Sequence, residues 1–263
     1  MRAQSSRRSR RQSNVRSRAQ FAALSLKLDK FIAGPTPAGR AAGALCSILT
    51  EKELLAYFFG GTLRDVWIGE REPRDLDVVV DPIMWRRFEK ETEPWHKGRN
   101  RFGGLKMEIE GVSVDAWDSS KTWSFFAEQV LPACVTKLPE TTLLNAEAIV
   151  MEAAIHPSGP RMAFEQGFFK GVETRTLDLN PIPQIPNRAL SAVRIRHMAA
   201  KLEWELSPRA ENLASEIEKG CGREELTAAE LSHYGADTLW PPQISLPPST
   251  NTPHSVGAHP HIV

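Results

Sequence analysis

The run Leu54 to Phe59 (LLAYFF) is short, apolar and aromatic, and it stops at Gly60-Gly61. An apolar run of this length bounded by glycine reads as a buried strand ending in a tight turn. Thr62 stands where it can cap a short helix over residues 62–68, which Gly69 then closes. Arg74 to Val80 (RDLDVVV) alternates before becoming wholly apolar, the pattern of a strand with one functional face. This strand, turn, helix, strand unit is the most demanding local instruction in the chain. Pro82 opens a further helix, and Leu105 to Glu110 and Val112 to Trp117 form a hairpin through Gly111.

Around that centre the chain divides into five stretches: a disordered basic arm over 1–20, a helical segment and linker over 21–49, a main domain over 50–180, a helical region over 181–240 and a disordered tail over 241–263. The helix of residues 21–33 is broken by Gly34-Pro35-Thr36-Pro37, after which a linker is expected. Residues 142–155 mix helix formers with β-branched residues and stay ambiguous. Beyond Pro181-Ile182-Pro183-Gln184-Ile185-Pro186, the segment Arg188 to Trp204 has helical spacing with interleaved bases. The tail from Pro241 has no periodicity.

Composition bounds the class. Hydrophobic residues at 41% and charged residues at 25% are ordinary soluble values. No stretch approaches the roughly 18 apolar residues of a membrane span, so a soluble, cytoplasmic protein is expected. Seven of the 33 basic residues fall within 1–20, which holds no acid, so the remainder carries fewer bases than its 32 acids. Such an arm either stays solvated or contacts polyanions, and its Arg- and Ser-rich makeup also fits an organelle transit peptide. Cys46, Cys134 and Cys221 are odd in number and far apart, which argues against a disulfide framework and a Cys-rich zinc site.

Asp75 and Asp77 lie two apart in a strand, so both side chains take the same face. Two such carboxylates repel unless something neutralises them, and Mg²⁺, which accepts one or two carboxylates plus substrate phosphates, is the natural candidate. Gly60-Gly61-Thr62-Leu63-Arg64-Asp65 lies upstream, where a diglycine admits a ligand close to backbone and a helix start favours phosphate oxygens. Asp115 on the hairpin is the third acid, with Asp118 a rival for its position. Together these groups suit in-line displacement of pyrophosphate from a nucleoside triphosphate by a hydroxyl.

The pairing of G-G-T-L-R-D with R-D-L-D-V-V-V-D resembles the head domain of the class II tRNA nucleotidyltransferase and bacterial poly(A) polymerase family, within the DNA polymerase beta-like superfamily. The resemblance implies an α+β fold with a mixed sheet flanked by helices, Mg²⁺ dependence, and Asp75, Asp77 and Asp115 as metal-binding catalytic carboxylates. It implies nucleotide binding by Gly60, Gly61, Thr62, Arg64, Asp65 and Arg188. Weaker similarity through 167–173 and 186–194 resembles the family's neck helix, although Gln184-Ile185 replace its acidic pair and only Arg188 persists. The arginine-rich motif before Asn-Ala is replaced by Thr141-Thr142-Leu143-Leu144. The segment after the neck is expected to be too short for the helical body that holds tRNA in full-length relatives, so canonical CCA addition is not the first choice of reaction. The expected partners are ATP or CTP and an RNA 3′ end, with a small-molecule or protein acceptor, or a catalytically weak binding module, as alternatives.

Other candidates read less sharply. Arg188, Arg194 and Arg196 line either a cleft or a solvated face. Trp117, Trp123 and Trp204 read as core rather than as base-stacking groups. No histidine shows zinc spacing. Lys97 to Gly104 (KGRNRFGG) reads either as a mobile loop near the triphosphate or as an exposed connector, the former being preferred.

Overall fold

The structure, a computed structural model, describes residues 18–100, 102–154, 159–181, 187–235 and 238–240. The basic arm before residue 18, the Gln184-Ile185 pair and the tail from 241 lie outside the described residues.

A seven-stranded mixed sheet forms the centre, in the order β3-β4-β5-β2-β1-β6-β7. Its strands are β1 (Ala56–Phe59), β2 (Asp75–Val80), β3 (His96–Arg99), β4 (Leu105–Ile109), β5 (Val112–Asp118), β6 (Ile149–Glu152) and β7 (Ala163–Glu165). The β2–β5 pair is parallel and the others antiparallel. This is the mixed α+β architecture expected from the sequence.

Both faces of the sheet are covered, which explains the apolar runs in β1 and β2. On one face Leu76, Val78 and Val80 of β2 pack with Leu24 and Leu28 of α1 (residues 18–32), Ala41 and Leu45 of α2 (Pro37–Glu51), Leu63 of α3 (Gly61–Ile68) and Phe88 of α4 (Trp85–Glu91). On the other, Tyr57, Phe59, Val79 and Val150 pack with Phe125 of α5 (Trp123–Phe126), Val130 and Leu138. Asp75 and Asp77 share this second face with Val79. It is therefore apolar at one end and carboxylate-lined at the other.

Three local expectations are corrected. The linker after Pro37 is helix α2: Pro37 occupies its first turn, where a missing N–H costs nothing, and Thr36 Oγ1 caps it by accepting from Gly39 N at 3.1 Å. The Lys97–Gly104 loop begins as edge strand β3, with Lys97 paired to Glu108 and Arg99 to Glu89, three strands away from β2. The ambiguous 142–155 resolves into a 3-10 turn (Asn145–Glu147) followed by β6, whose four residues are all buried.

The helical part follows α6 (Phe168–Thr174). Strand β8 (Thr176–Leu177) pairs in parallel with β9 (Glu205–Leu206), bracketing α7 (Arg188–Leu202); α8 (Pro208–Gly220) and α9 (Arg223–Tyr234) complete it. Asn187 and Ser207 cap α7 and α8 through side-chain oxygens accepting from Leu190 N at 2.9 Å and Ala210 N at 3.2 Å. Arg196 of α7 holds both Glu211 and Glu218 of α8, each with a contact of 2.7 Å. Glu230 of α9 is fully buried because His197 Nε2 lies at 2.8 Å and the Thr238 and Leu239 N–H groups donate to it.

Candidate active site

The parallel register pairs Asp77 with Asp115, and Asp75 with Ser113. Neighbouring residues at one height of a sheet project from the same face, so Asp77 and Asp115 sit side by side with Asp75 one pleat earlier. Asp118 is removed from contention. It falls on the opposite face of β5 from Asp115, and its Oδ1 caps a turn by accepting from Ser120 N at 2.9 Å and Ser120 Oγ at 2.7 Å.

The glycine corner faces these acids. Gly60 has φ of +56°, a conformation that favours glycine, and its N–H is anchored to Ile149 O at 3.0 Å. A Cβ built on Gly61 would lie 3.5 Å from Arg64 Nη2 and 3.7 Å from Asp77 Oδ2, so a cation and a carboxylate converge on that glycine. Thr62 does not cap α3 as expected; Gly60 is the N-cap and supplies no side-chain bond. The buried Thr62 Oγ1 instead accepts from Asp77 N at 2.8 Å, tying α3 to the acidic strand.

Arg64 is 3% exposed and is held by Asp65, with contacts of 2.7 and 3.0 Å. Asp65 therefore orients Arg64 rather than facing the cleft. Lys201 of α7 approaches the same carboxylate at 3.5 Å, and its ammonium is pushed below its ordinary range by burial and then by Arg64. Of the arginines on α7, Arg188 turns away to an exposed pairing with Glu216 at 2.9 Å. Arg194 is the one that reaches the site. Its Nη2 lies 2.6 Å from Glu147 Oε2, and Glu147 Oε1 lies 3.7 Å from Arg64 Nη1.

Glu147 was not legible as a site residue. The Asn145-Ala146-Glu147 turn that carries it lies in the segment whose pattern was ambiguous. Tyr234 is a second unpredicted neighbour: α9 returns to the cleft, and its ring stacks on His197 at a centroid distance of 3.9 Å.

Electrostatics single out Asp77. Burial, followed by the negative charges of Asp75, Glu147 and Asp115, pushes its carboxyl up to about 7 against an ordinary 3.8, with Arg64 opposing. Asp75 and Asp115 are partly exposed, and each has a cation: Arg74 Nη2 at 2.9 Å and Lys106 Nζ at 3.4 Å. Among the described residues no three acidic, His or Cys side chains form a ready cation cage. The donor set nonetheless fits Mg²⁺ chemically. It offers hard carboxylate oxygens with surplus negative charge, and Mg²⁺ takes one or two carboxylates together with substrate phosphates.

No protein-family profile matches the chain, and no curated protein matches it in sequence. Solved structures do share its fold. A CCA-adding enzyme in complex with CTP superposes with a TM-score of 0.57 at 15% identity, over 78% of this chain and 49% of that one. The Thermotoga maritima CCA-adding enzyme complexed with tRNA gives 0.56 at 14% identity, over 78% and 48%. A tRNA nucleotidyltransferase with a primer tRNA and an incoming ATP analog gives 0.52 at 19% identity, over 70% and 54%. The chain thus spans about half the length of these structures, and the likeness establishes a common fold.

Proposed function

We propose that the chain is a Mg²⁺-dependent nucleotidyltransferase that moves a nucleoside monophosphate from ATP or CTP to an acceptor hydroxyl, with an RNA 3′ end as the acceptor and pyrophosphate as the product. The observation that carries this reading is the side-by-side placement of Asp77 and Asp115 opposite the Gly60-Gly61 corner. The fold shared with enzymes whose structures hold CTP, an ATP analog or tRNA supports the choice of substrates.

In this reading Asp75, Asp77 and Asp115 hold the metal, which when bound supplies Lewis-acid stabilisation of the phosphoryl oxygens and of the acceptor oxygen. The absence of side chains on Gly60 and Gly61 lets the triphosphate approach the start of α3, where first-turn N–H groups and the helix dipole favour anions. Arg64, fixed by Asp65, adds positive charge beneath that corner. Thr62 keeps the phosphate corner and Asp77 in a constant relation. Asp115, partly exposed and paired with Lys106, is the carboxylate through which the metal would hold the acceptor hydroxyl. Arg194, already oriented by Glu147, forms the opposite wall.

The test is incubation with Mg²⁺, each labelled NTP and pools of RNA, small molecules or protein, beside an Asp75→Ala/Asp77→Ala variant. Labelled RNA that requires both metal and aspartates supports the reading. Bound NTP without any labelled acceptor would instead make the chain a nucleotide-binding module.

A further inference from the structure

Helix α9 ends at Gly235, which closes it with φ of +69°, and the residue before the cap is Tyr234, one of only two tyrosines in the chain. Its ring is fixed on two sides. His197 of α7 lies against one face, with centroids 3.9 Å apart and planes inclined by 23°, and His233 meets it edge-on at 4.7 Å. His197 is pinned in turn by the buried Glu230, which also accepts from the Thr238 hydroxyl and amide at 2.9 Å each and from the Leu239 amide at 3.1 Å. A ring already anchored in this way has little rotamer freedom left to lose when a ligand meets it.

The Tyr234 hydroxyl, by contrast, has no hydrogen-bond partner among the described residues, although the residue is half-buried. A tyrosine hydroxyl in such a setting usually has one. Burial pushes the phenol up from its ordinary range, with Arg194 opposing and Glu147 reinforcing, so the group stays a neutral O–H that can donate and accept. Arg64 and Arg74 act on the same group. These four charged neighbours rim the candidate site: Arg74 holds Asp75 at 2.9 Å, Arg64 Nη2 lies at the Gly61 corner, and Arg194 is bound to Glu147 at 2.6 Å. Asp115 stands with Lys106 on the other flank, on β5, which lies across β2 from β1.

We propose that the Tyr234 hydroxyl hydrogen-bonds the nucleoside end of the incoming NTP, and that the His197–Glu230 pair holds the ring in place for this contact. The inference rests on the nucleotidyltransferase reading for its ligand. In that reading the triphosphate lies at the glycine corner among N–H groups and cations, and the acceptor hydroxyl lies at Asp115. The nucleoside then takes the flank of α7 and α9, where an uncharged hydroxyl among fixed charges matches the uncharged part of the nucleotide. A sugar hydroxyl or a base edge can pair with a group that both donates and accepts.

The experiment labels the full chain with 3-fluorotyrosine and follows its two ¹⁹F resonances, one from Tyr234 and one from Tyr57, which is buried in β1. Tyr234→Phe assigns them. With Mg²⁺ and no acceptor, ATP or CTP should move the Tyr234 resonance, and inorganic triphosphate should leave it in place. By calorimetry Tyr234→Phe, which keeps the ring and removes only the oxygen, should weaken NTP binding by about two- to ten-fold, the worth of one hydrogen bond. Affinity for inorganic triphosphate and Tm should stay as in the wild type. In turnover KM should rise with kcat unchanged. A penalty that vanishes with 2′-deoxy-NTPs assigns the bond to the ribose, and one that persists assigns it elsewhere on the nucleoside. NTP binding that neither moves the Tyr234 resonance nor weakens in Tyr234→Phe would overturn the assignment and leave the catalytic reading standing. An equal response to inorganic triphosphate would overturn it too. A wild type that binds no NTP would overturn the catalytic reading, and the assignment with it.

Discussion

At the scale of single residues the site is governed by one crowded carboxyl and one bare backbone corner. Asp77 is held up to about 7 against an ordinary 3.8. Between those two values the folded chain binds a proton that the unfolded chain has lost, so stability falls as pH rises through that interval. Thermal melting in EDTA should show this decline, and Asp77→Asn should flatten it. An Asn variant that keeps the wild-type slope would mean the group responsible is elsewhere. Gly61→Ala tests the corner. Its new methyl meets protein only at ordinary contact distances of 3.5 Å and beyond, so the fold should survive, while NTP affinity should fall at least about ten-fold by obstruction of the phosphate approach. A loss of affinity accompanied by a collapse in Tm would instead assign Gly61 a packing role.

At the scale of elements the sheet and the helical part meet through Glu147, which serves Arg64 of α3 and Arg194 of α7 together. Glu147→Gln should destabilise the chain by about 2 kcal/mol, less than the loss for a wholly buried pair because Arg194 retains access to water. Chemical denaturation of Glu147→Gln, Arg194→Met and the double variant would give the coupling, and additive effects would show the contact to be energetically idle. The two arginines on α7 should also separate in binding. Arg188→Ala, which loses a pairing with an exposed glutamate, should leave NTP affinity within about two-fold, whereas Arg194→Ala should weaken it. What was legible in the sequence follows the same division. Alternation in β2 and the diglycine after β1 announced the acids and the glycine corner, because a strand's period and a glycine's freedom are local properties. Glu147, Arg194 and Tyr234 come together only through tertiary packing, and the preference for Arg188 rested on the family resemblance, which does not tell which turn of α7 faces α3.

At the scale of the molecule, charge is unevenly placed. Seven arginines lie within residues 1–20, while the rest of the chain has more acids than bases. If those arginines meet RNA phosphates, removing residues 1–17, which hold six of the seven, should flatten the dependence of log affinity on log salt by about 0.7 for each lost contact with a single strand. An unchanged slope would confine RNA contacts to residues from 18 onward. Among the described residues no helix is long and apolar enough to cross a membrane. The sheet order itself was not readable beforehand, since the parallel pairing of β2 with β5 joins segments separated by a helix and two intervening strands. That pairing turned a sequence pair of aspartates into a row of three.

The Thr62 hydroxyl bonded to the Asp77 amide has a mechanical consequence. It ties the start of α3 to β2, so the distance between the glycine corner and Asp77 is set by the sheet and its neighbouring helix rather than by α7. If the chain takes a nucleotide there as proposed, any widening toward α7 has to part Arg194 from Glu147 while that inner distance stays the same.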